Sequence, residues 1–301
     1  MSADRSNFFA GPYLDRRAQD REAEDWQAQA LADSTAQYLV ARGTTQLMRL
    51  TSEPSIAFLS GDHPRVRTAP DRRMVLLGGF QGRRCILLEL DTDEKLDPAP
   101  AGAIFEELRP VMNLLPADEA ALAAYARALT LWRSRHHFCG VCGRPTVPVR
   151  AGHVLRCTNP VCAHETFPRI DPAIIVLISD GERALLGRQA SWPAGRYSTL
   201  AGFVEPGESL EDAVAREVLE ETGVAVHDIH YHSSQPWPFP SSLMLGFQAK
   251  ASPGAPVQIG SELEHARWFT RAELISGKVP LPPSRAISYR LIHEWLHPRG
   301  T

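Results

Sequence analysis

Residues 202–224 read GFVEPGESLEDAVAREVLEETGV, and this stretch leaves the backbone little freedom. Ser209 can cap a helix because its hydroxyl accepts from the unpaired amides of the first turn. Gly223 can end it, since glycine enters the left-handed region without a Cβ clash. The helix between them, residues 210–222, sets Glu217, Glu220 and Glu221 at i, i+3 and i+4 on one face. Carboxylates that close repel one another on an ordinary surface helix, but they serve as hard oxygen ligands around Mg²⁺ or Mn²⁺. A solvated acidic face is the plainer reading of an isolated Glu-x-x-Glu-Glu. Ala215, Val218, Leu219 and Thr222 fall on the opposite side and are expected to face a core.

The setting of these acids is more specific. Gly202, five residues, Glu208, seven residues, and then Arg216-Glu217-Val218-x-Glu220-Glu221-x-Gly223-Val224 follow without a departure. This pattern resembles the Nudix box, the loop-helix-loop signature of hydrolases that cleave nucleoside diphosphates linked to another moiety. The resemblance implies an α/β chain whose Nudix domain is an α/β/α sandwich with a mixed sheet. It further implies that Glu217, Glu220 and Glu221 hold catalytic Mg²⁺ or Mn²⁺, with the backbone carbonyl of Ala201 as a further ligand. Glu208 and Arg216 read as a structural pair, because opposite charges at close range satisfy each other.

Downstream, SQPWPFPSS spans residues 234–242, with Pro236, Pro238 and Pro240 alternating with Trp237 and Phe239. Each proline ring fixes φ and removes a donor, so the segment is neither a helix nor a central strand. Two readings are open: a rigid connection over the core edge, or a preorganised wall for a flat base, whose stiffness lowers the ordering cost of binding. The segment resembles the SQPWPFPxS array of the NADH pyrophosphatase branch of Nudix enzymes. That resemblance implies NADH or NAD⁺ as substrate, met by Gln235, Pro236, Trp237, Pro238, Phe239, Pro240, Ser241 and Ser242, with Ser288 of the last helix added to the set. It also implies a homodimer in which aromatic residues at Phe167 and Phe203 sandwich the nicotinamide, one of them from the partner subunit. Burial in a core is the other reading of both. A glutamate between the array and Trp268-Phe269 joins the metal site in this family; Glu262 aligns best and Glu264 is the fallback, while simple solvation is the plainer reading of either.

Cys139 and Cys142 form a C-x2-C, and Cys157 and Cys162 a C-x4-C fourteen residues later. Two such knuckles are the ligand layout of a zinc ribbon, and four thiolates close the tetrahedron, so the Zn²⁺ is expected to be structural. Disulfides are the alternative. The chain opens on no apolar signal segment, which predicts a reducing, cytoplasmic location where disulfides are rare. The resemblance places such a ribbon just before the Nudix domain. Cys85 lies in the apolar run RRCILLEL and reads as a core thiol.

The remaining features bound the organisation. The longest apolar runs, such as AIIVLI at residues 173–178, fall far short of the roughly twenty residues that span a bilayer. A net charge of −3 gives no global field to attract a polyanion. Residues 1–27 read as a leader whose Phe8, Phe9 and Leu14 dock, and FFAGPYLDR resembles the opening of family members. Short apolar runs between residues 36 and 90 predict an antiparallel sheet, and residues 117–135 a helix. Residues 173–179 and 183–187 should open the Nudix sheet, residues 243–250 supply a further strand, Trp268-Phe269 end another, and residues 283–296 form a final amphipathic helix. The domains expected are 1–135, an α+β scaffold or dimerisation domain; 136–168, the zinc ribbon; and 169–301, the Nudix hydrolase domain.

Three functions fit this reading. The first is hydrolysis of NAD(H) to NMN(H) and AMP by a metal-activated water, with Glu220 or Glu262 as the base. The second is removal of an NAD cap from RNA 5′ ends by the same site, which a basic strip beside it would favour. The third is a zinc-ribbon regulator that senses a nucleotide without cleaving it, against which the intact acids speak.

Overall fold

The computed structural model describes residues 7–298; residues 1–6 of the leader and 299–301 of the last expected domain lie outside the described residues. The chain divides into two units. One consists of Phe9–Arg169 with Pro238–Ser241, and the other of the residues up to Phe8, Ile170–Trp237 and the chain from Ser242 onward. Among the described residues no helix is long and apolar enough to cross a membrane.

In the first unit, turns cut the apolar runs into short strands. Its elements are β1 (Leu14–Asp15), α1 (Trp26–Ala32), β2 (Gln37–Arg42), β3 (Thr45–Arg49), β4 (Ser55–Ile56), β5 (Leu59–Ser60), α2 (Pro64–Arg67), β6 (Met74–Phe80), β7 (Arg83–Leu90), β8 (Ala103–Glu107), α3 (Leu108–Val111) and α4 (Ala117–Arg135). The sheet runs β1-β6-β7-β2-β3-β4, with β5 beside β2 and β8 beside β3. The expected antiparallel arrangement fails at one pairing: β2 runs parallel to β7, Gln37 opposite Cys85 and Arg42 opposite Leu90. A hairpin imposes antiparallel pairing, but the chain between Arg42 and Arg83 is long enough for the crossover a parallel pair needs. Tyr38, Val40, Leu47, Leu76, Ile86 and Leu88 pack with Trp26 into the core. Cys85, which alternates with Ile86 and Leu88 along β7, is also fully buried, and burial pushes its thiol far above the usual range. Gly78, at φ +137°, lets the leader strand lie on β6, since a Cβ there would stand 2.1 Å from the Asp15 carbonyl oxygen.

Beyond α4, β9 (Thr146–Val149), β10 (Val154–Cys157) and β11 (Glu165–Thr166) form a small antiparallel sheet with β10 in the middle.

The second unit contains β12 (Asp171–Ser179), β13 (Arg183–Arg188), β14 (Leu200–Phe203), α5 (Leu210–Thr222), β15 (Val226–Trp237), β16 (Ser242–Ala251), β17 (His265–Thr270), α6 (Arg271–Ile275) and α7 (Ile287–Leu296). Its mixed sheet runs β15-β16-β12-β13-β17, with β14 beside β12 and the β12–β16 pair parallel. Alternation along β12 makes the sandwich, because successive side chains leave a strand on opposite faces. Ile174, Val176 and Ile178 pack with Ala213, Val214 and Val218 of α5, while Ile175 and Leu177 pack with Ile287, Leu291 and Ile292 of α7. Each such buried valine, leucine or isoleucine contributes about 1.5–3 kcal/mol relative to exposure.

Two expectations are corrected here. The buried stripe of α5 is Ala213, Val214, Val218, Glu221 and Thr222, whereas Leu219 is 53% exposed and Ala215 half-buried. The seam that meets the sheet follows i, i+4 and i+8 from Val214, which turns Leu219 about 100° away. The last helix begins at Ile287, because Ala286 is still extended at φ −84° and ψ 142°. Residues 234–237 of the proline array end β15, the edge strand. There the missing N–H of Pro236 breaks no internal ladder.

Candidate functional site

Both ends of α5 are set by local chemistry. The Ser209 hydroxyl accepts from the Asp212 amide at 3.1 Å, and Asp212 accepts from the Ser209 amide at 3.2 Å, a reciprocal cap. Gly223 takes φ 68°, and its amide donates to the Leu219 carbonyl at 2.8 Å. The helix thereby presents Glu217 to β14. A Cβ on Gly202 would stand 1.9 Å from Glu217 Cδ and 2.0 and 2.2 Å from its carboxylate oxygens. The carboxylate therefore seats directly on the strand backbone beside the exposed Ala201, which is in register with Ile175.

Glu217, Glu220 and Glu221 of α5 differ in environment. Glu221 is 5% exposed, and its Oε2 has no hydrogen-bond partner among the described residues. Burial, then the charges of Glu217 and Glu262, push its carboxyl up to about 7. Glu217 is also raised, chiefly by burial, against the pull of Arg216. Glu220 is exposed. Arg216 organises the loop: Nε and Nη2 donate to the two Glu208 oxygens at 2.5 and 2.9 Å, Nη2 donates to the Phe203 carbonyl at 2.9 Å, and Nη1 reaches Glu217 at 3.0 Å and Glu220 at 3.2 Å. These bonds hold the Glu208 carboxyl down at about 2.

The loop after β16 is strapped over the end of α5. Gln258 N donates to the Thr222 carbonyl at 2.8 Å and Gly260 N to the Glu221 carbonyl at 2.9 Å, satisfying carbonyls that a helix end leaves open. Gly260 permits this, since a Cβ would stand 2.4 Å from the Glu220 carbonyl oxygen. The strap brings Glu262 close enough for its charge to raise Glu217 and Glu221. Glu264 is committed elsewhere, paired with Arg188 and donating its amide to the Arg188 carbonyl at 2.9 Å.

Besides Glu208, four carboxylates, those of Glu217, Glu220, Glu221 and Glu262, share this region with the Arg216 guanidinium, and one buried oxygen, Glu221 Oε2, lacks a partner among the described residues. Buried carboxylates without partners are costly, and the donor set is all hard oxygen, so the residues fit a divalent cation of the Mg²⁺ or Mn²⁺ kind. The glutamates are less tightly gathered than the cysteines: among the described residues only Cys139, Cys142, Cys157 and Cys162 form a group of three or more donors within 4.8 Å of one another.

In the ribbon, the Cys139–Cys162 and Cys142–Cys157 sulfurs are 3.9 and 3.4 Å apart. A tetrahedral ion with bonds of about 2.3 Å sets its sulfurs about 3.8 Å apart, whereas a disulfide brings them to about 2.05 Å. The Val141 and Asn159 amides each donate to a cysteine sulfur at 3.4 Å, the second layer such a site uses to orient its ligands.

The sheet register places residues 234–237 of the proline array at the same end as the glutamate seat. Phe203 is level with Ala173, Ala173 with Met244, and Met244 with Gln235; Pro236 and Trp237 continue past that row. Phe203 and Phe167 are 60% and 57% exposed, so neither is core. Pro236, Trp237, Phe239, Ser241 and Ser242 are half-buried, Pro240 is exposed and Pro238 is buried. Gln235 and Ser288, expected at the substrate, are 1% and 5% exposed. The amide of Gln235 is fully engaged: Oε1 accepts from Ile287 N at 2.9 Å, and Nε2 donates to the Phe8 and Arg285 carbonyls at 3.1 and 2.9 Å. Sequence reasoning missed Asn7, a buried leader residue bonded to β15 and α7, because one polar residue beside two phenylalanines carries no periodic or motif signal.

Three family models match the chain: the NUDIX domain over residues 169–295, the NADH pyrophosphatase-like rudimentary NUDIX domain over 27–132, and the NADH pyrophosphatase zinc ribbon domain over 134–167. The chain is 38% identical over 301 residues to the NAD-capped RNA hydrolase NudC of Mycobacterium bovis (strain BCG / Pasteur 1173P2), covering 93% of this chain and 91% of the relative. It is 43% identical over 221 residues to the NAD-capped RNA hydrolase NudC of Stutzerimonas stutzeri (strain A1501), covering 73% and 76%. Among solved structures, a NUDIX hydrolase from Nitrosomonas europaea is 22% identical, with a TM-score of 0.44 over 54% of this chain and 91% of that one.

Proposed function

The chain belongs to the Nudix hydrolases, in the branch of the NADH pyrophosphatases and NudC, and from that premise we propose that it hydrolyses the diphosphate bond of NAD(H) to NMN(H) and AMP. The observation that carries the reading is the buried Glu221, with an unpartnered oxygen, beside a Glu217 carboxylate seated on Gly202. In this reading Glu217, Glu220, Glu221 and Glu262, with the Ala201 carbonyl, hold Mg²⁺ or Mn²⁺. Bound there, such ions neutralise phosphate charge and lower the pKa of the attacking water.

The residues of the chain do the rest. Glu220 or Glu262, both exposed, takes the proton as the water oxygen bonds to phosphorus and the bridging P–O bond breaks. Arg216 fixes the loop through Glu208 and the Phe203 carbonyl, which holds Phe203 beside the seat. Phe203 offers an exposed ring to a base. The array, with Trp237 and Phe239, forms a stiff wall, and Gln235, whose amide is bonded to Ile287, Phe8 and Arg285, supports it from within.

Finer assignments accompany this. Zn²⁺ on the four ribbon cysteines is structural, supported by sulfur spacings near those of a tetrahedral ion. Close-set free thiols suit a reducing compartment, which favours a cytoplasmic location. The exposed Phe167 ring suits a homodimer in which it completes the partner subunit's nicotinamide site.

Removal of an NAD cap from RNA is the second reading, favoured by the two NudC relatives being NAD-capped RNA hydrolases by name. The test is a Mg²⁺- or Mn²⁺-dependent assay across NADH, NAD⁺, ADP-ribose, diadenosine polyphosphates and NAD-capped RNA. NADH should rank among the best small substrates; equal turnover of every dinucleotide would remove the substrate assignment.

A further inference from the structure

Asn7 stands in a closed ring of side chains. Its Nδ2 donates to Ser233 Oγ at 3.0 Å; that hydroxyl meets His232 Nδ1 at 2.8 Å; His232 Nε2 meets Glu294 Oε2 at 2.9 Å; Arg290 Nε donates to Glu294 Oε1 at 2.8 Å; and Arg290 Nη1 returns to Asn7 Oδ1 at 3.0 Å. Asn7 Nδ2 also donates to the Ser234 carbonyl at 2.7 Å. The next residue continues the tie, because the Phe8 carbonyl accepts from Gln235 Nε2 and the Phe8 ring lies 4.5 Å beneath the Arg285 guanidinium. Gly246 makes room for this junction, since a Cβ there would stand 2.9 Å from both Ile287 Cδ1 and the Ser233 carbonyl oxygen.

These contacts link three parts of the chain at one point: the leader, α7 and the residues of β15 just before Pro236. Asn7 is 7% and Gln235 1% exposed, so their polar groups are spent on the fold and face no ligand. Networks in which every member is satisfied rigidify what they hold. What this one holds is the root of the proline array. We infer that Asn7 is a positioning residue, with Gln235 its partner: the leader clasps the array so that its aromatic wall is preorganised for the base of the substrate. The inference rests on the substrate reading above.

Preorganisation lowers the ordering cost of binding and leaves the phosphate chemistry untouched. Asn7→Ala should therefore raise KM for NADH about tenfold and leave kcat within about twofold, the split expected when uniform binding is lost. Amide exchange at Trp237 and Phe239 should quicken relative to α5. Asn7→Asp keeps an acceptor for Arg290 and the Ser233 hydroxyl but cannot donate to the Ser234 carbonyl, so it should be intermediate in both readouts. Wild-type KM and wild-type exchange in Asn7→Ala would overturn the inference, as would loss of kcat and thermal stability at unchanged KM. If the wild-type enzyme cleaves no NAD(H), the substrate reading fails, and the exchange comparison alone still decides the clasp.

Discussion

Gly202→Ala is the sharpest perturbation of the seat. The new Cβ would lie 1.9 Å from Glu217 Cδ, and ordinary contact begins at 3.4 Å, so the carboxylate must retreat by 1.5 Å (3.4 less 1.9). The displaced group is the far end of a flexible side chain, and alanine suits a strand at least as well as glycine, so folding stability should change by about 1 kcal/mol or less. The active geometry is far less tolerant. A misplacement of about 1 Å can cost about 100-fold in rate, equivalent to about 2.7 kcal/mol of transition-state stabilisation. The assay is kcat/KM for NADH with Mg²⁺ or Mn²⁺, alongside thermal unfolding of the same preparation. A drop of about 100-fold or more with unchanged unfolding supports the seat. Full activity in the folded variant would refute the claim that Glu217 must rest on the backbone of β14.

Other consequences are as direct. Glu217→Gln and Glu221→Gln should each lose roughly 1,000-fold in NADH hydrolysis, because an ion contributes several kcal/mol of charge stabilisation; isothermal titration should show weakened Mn²⁺ binding. Cys142→Ser should lower zinc from about one ion per chain and unfold the ribbon, since structural zinc contributes folding energy; zinc-free protein with an intact ribbon by amide exchange would contradict this. His153, held 2.7 Å from the Leu76 carbonyl, is lowered to about 4 by burial and by Arg21, Arg133 and Arg16, against the Leu76 bond. Its ordinary value is about 6.5, so the unfolded chain gains a proton first as pH falls. Stability present above pH 6.5 is lost progressively toward pH 4, by about 3 kcal/mol. Urea unfolding at pH 7 and pH 4.5 should show that decline, and His153→Gln should flatten it.

The sequence was most legible where chemistry is local. Ser209 and Gly223 bound α5 because caps depend on the residues themselves. The three prolines confine Gln235–Trp237 to an edge because the missing donors are intrinsic. The cysteine knuckles converge because two short loops can bring four sulfurs together. Legibility failed where distant segments choose the outcome. Leu219 faces outward because the sheet beneath α5 selects Val214 and Val218. β2 runs parallel to β7 because of a crossover that no short run of residues announces. Gln235 looks like a substrate ligand in its motif, yet Ile287, Arg285 and Phe8, far away in sequence, consume its amide. Asn7 could not be found at all without the partners that close its ring.

The most direct test of the central claim is the product analysis of NADH incubated with Mg²⁺ or Mn²⁺, resolved by liquid chromatography, with Glu221→Gln in parallel. The account predicts NMNH and AMP in equal amounts, abolished by a chelator and nearly absent in the variant. Intact NADH after prolonged incubation with folded, metal-loaded protein, or equal cleavage by Glu221→Gln, would contradict it.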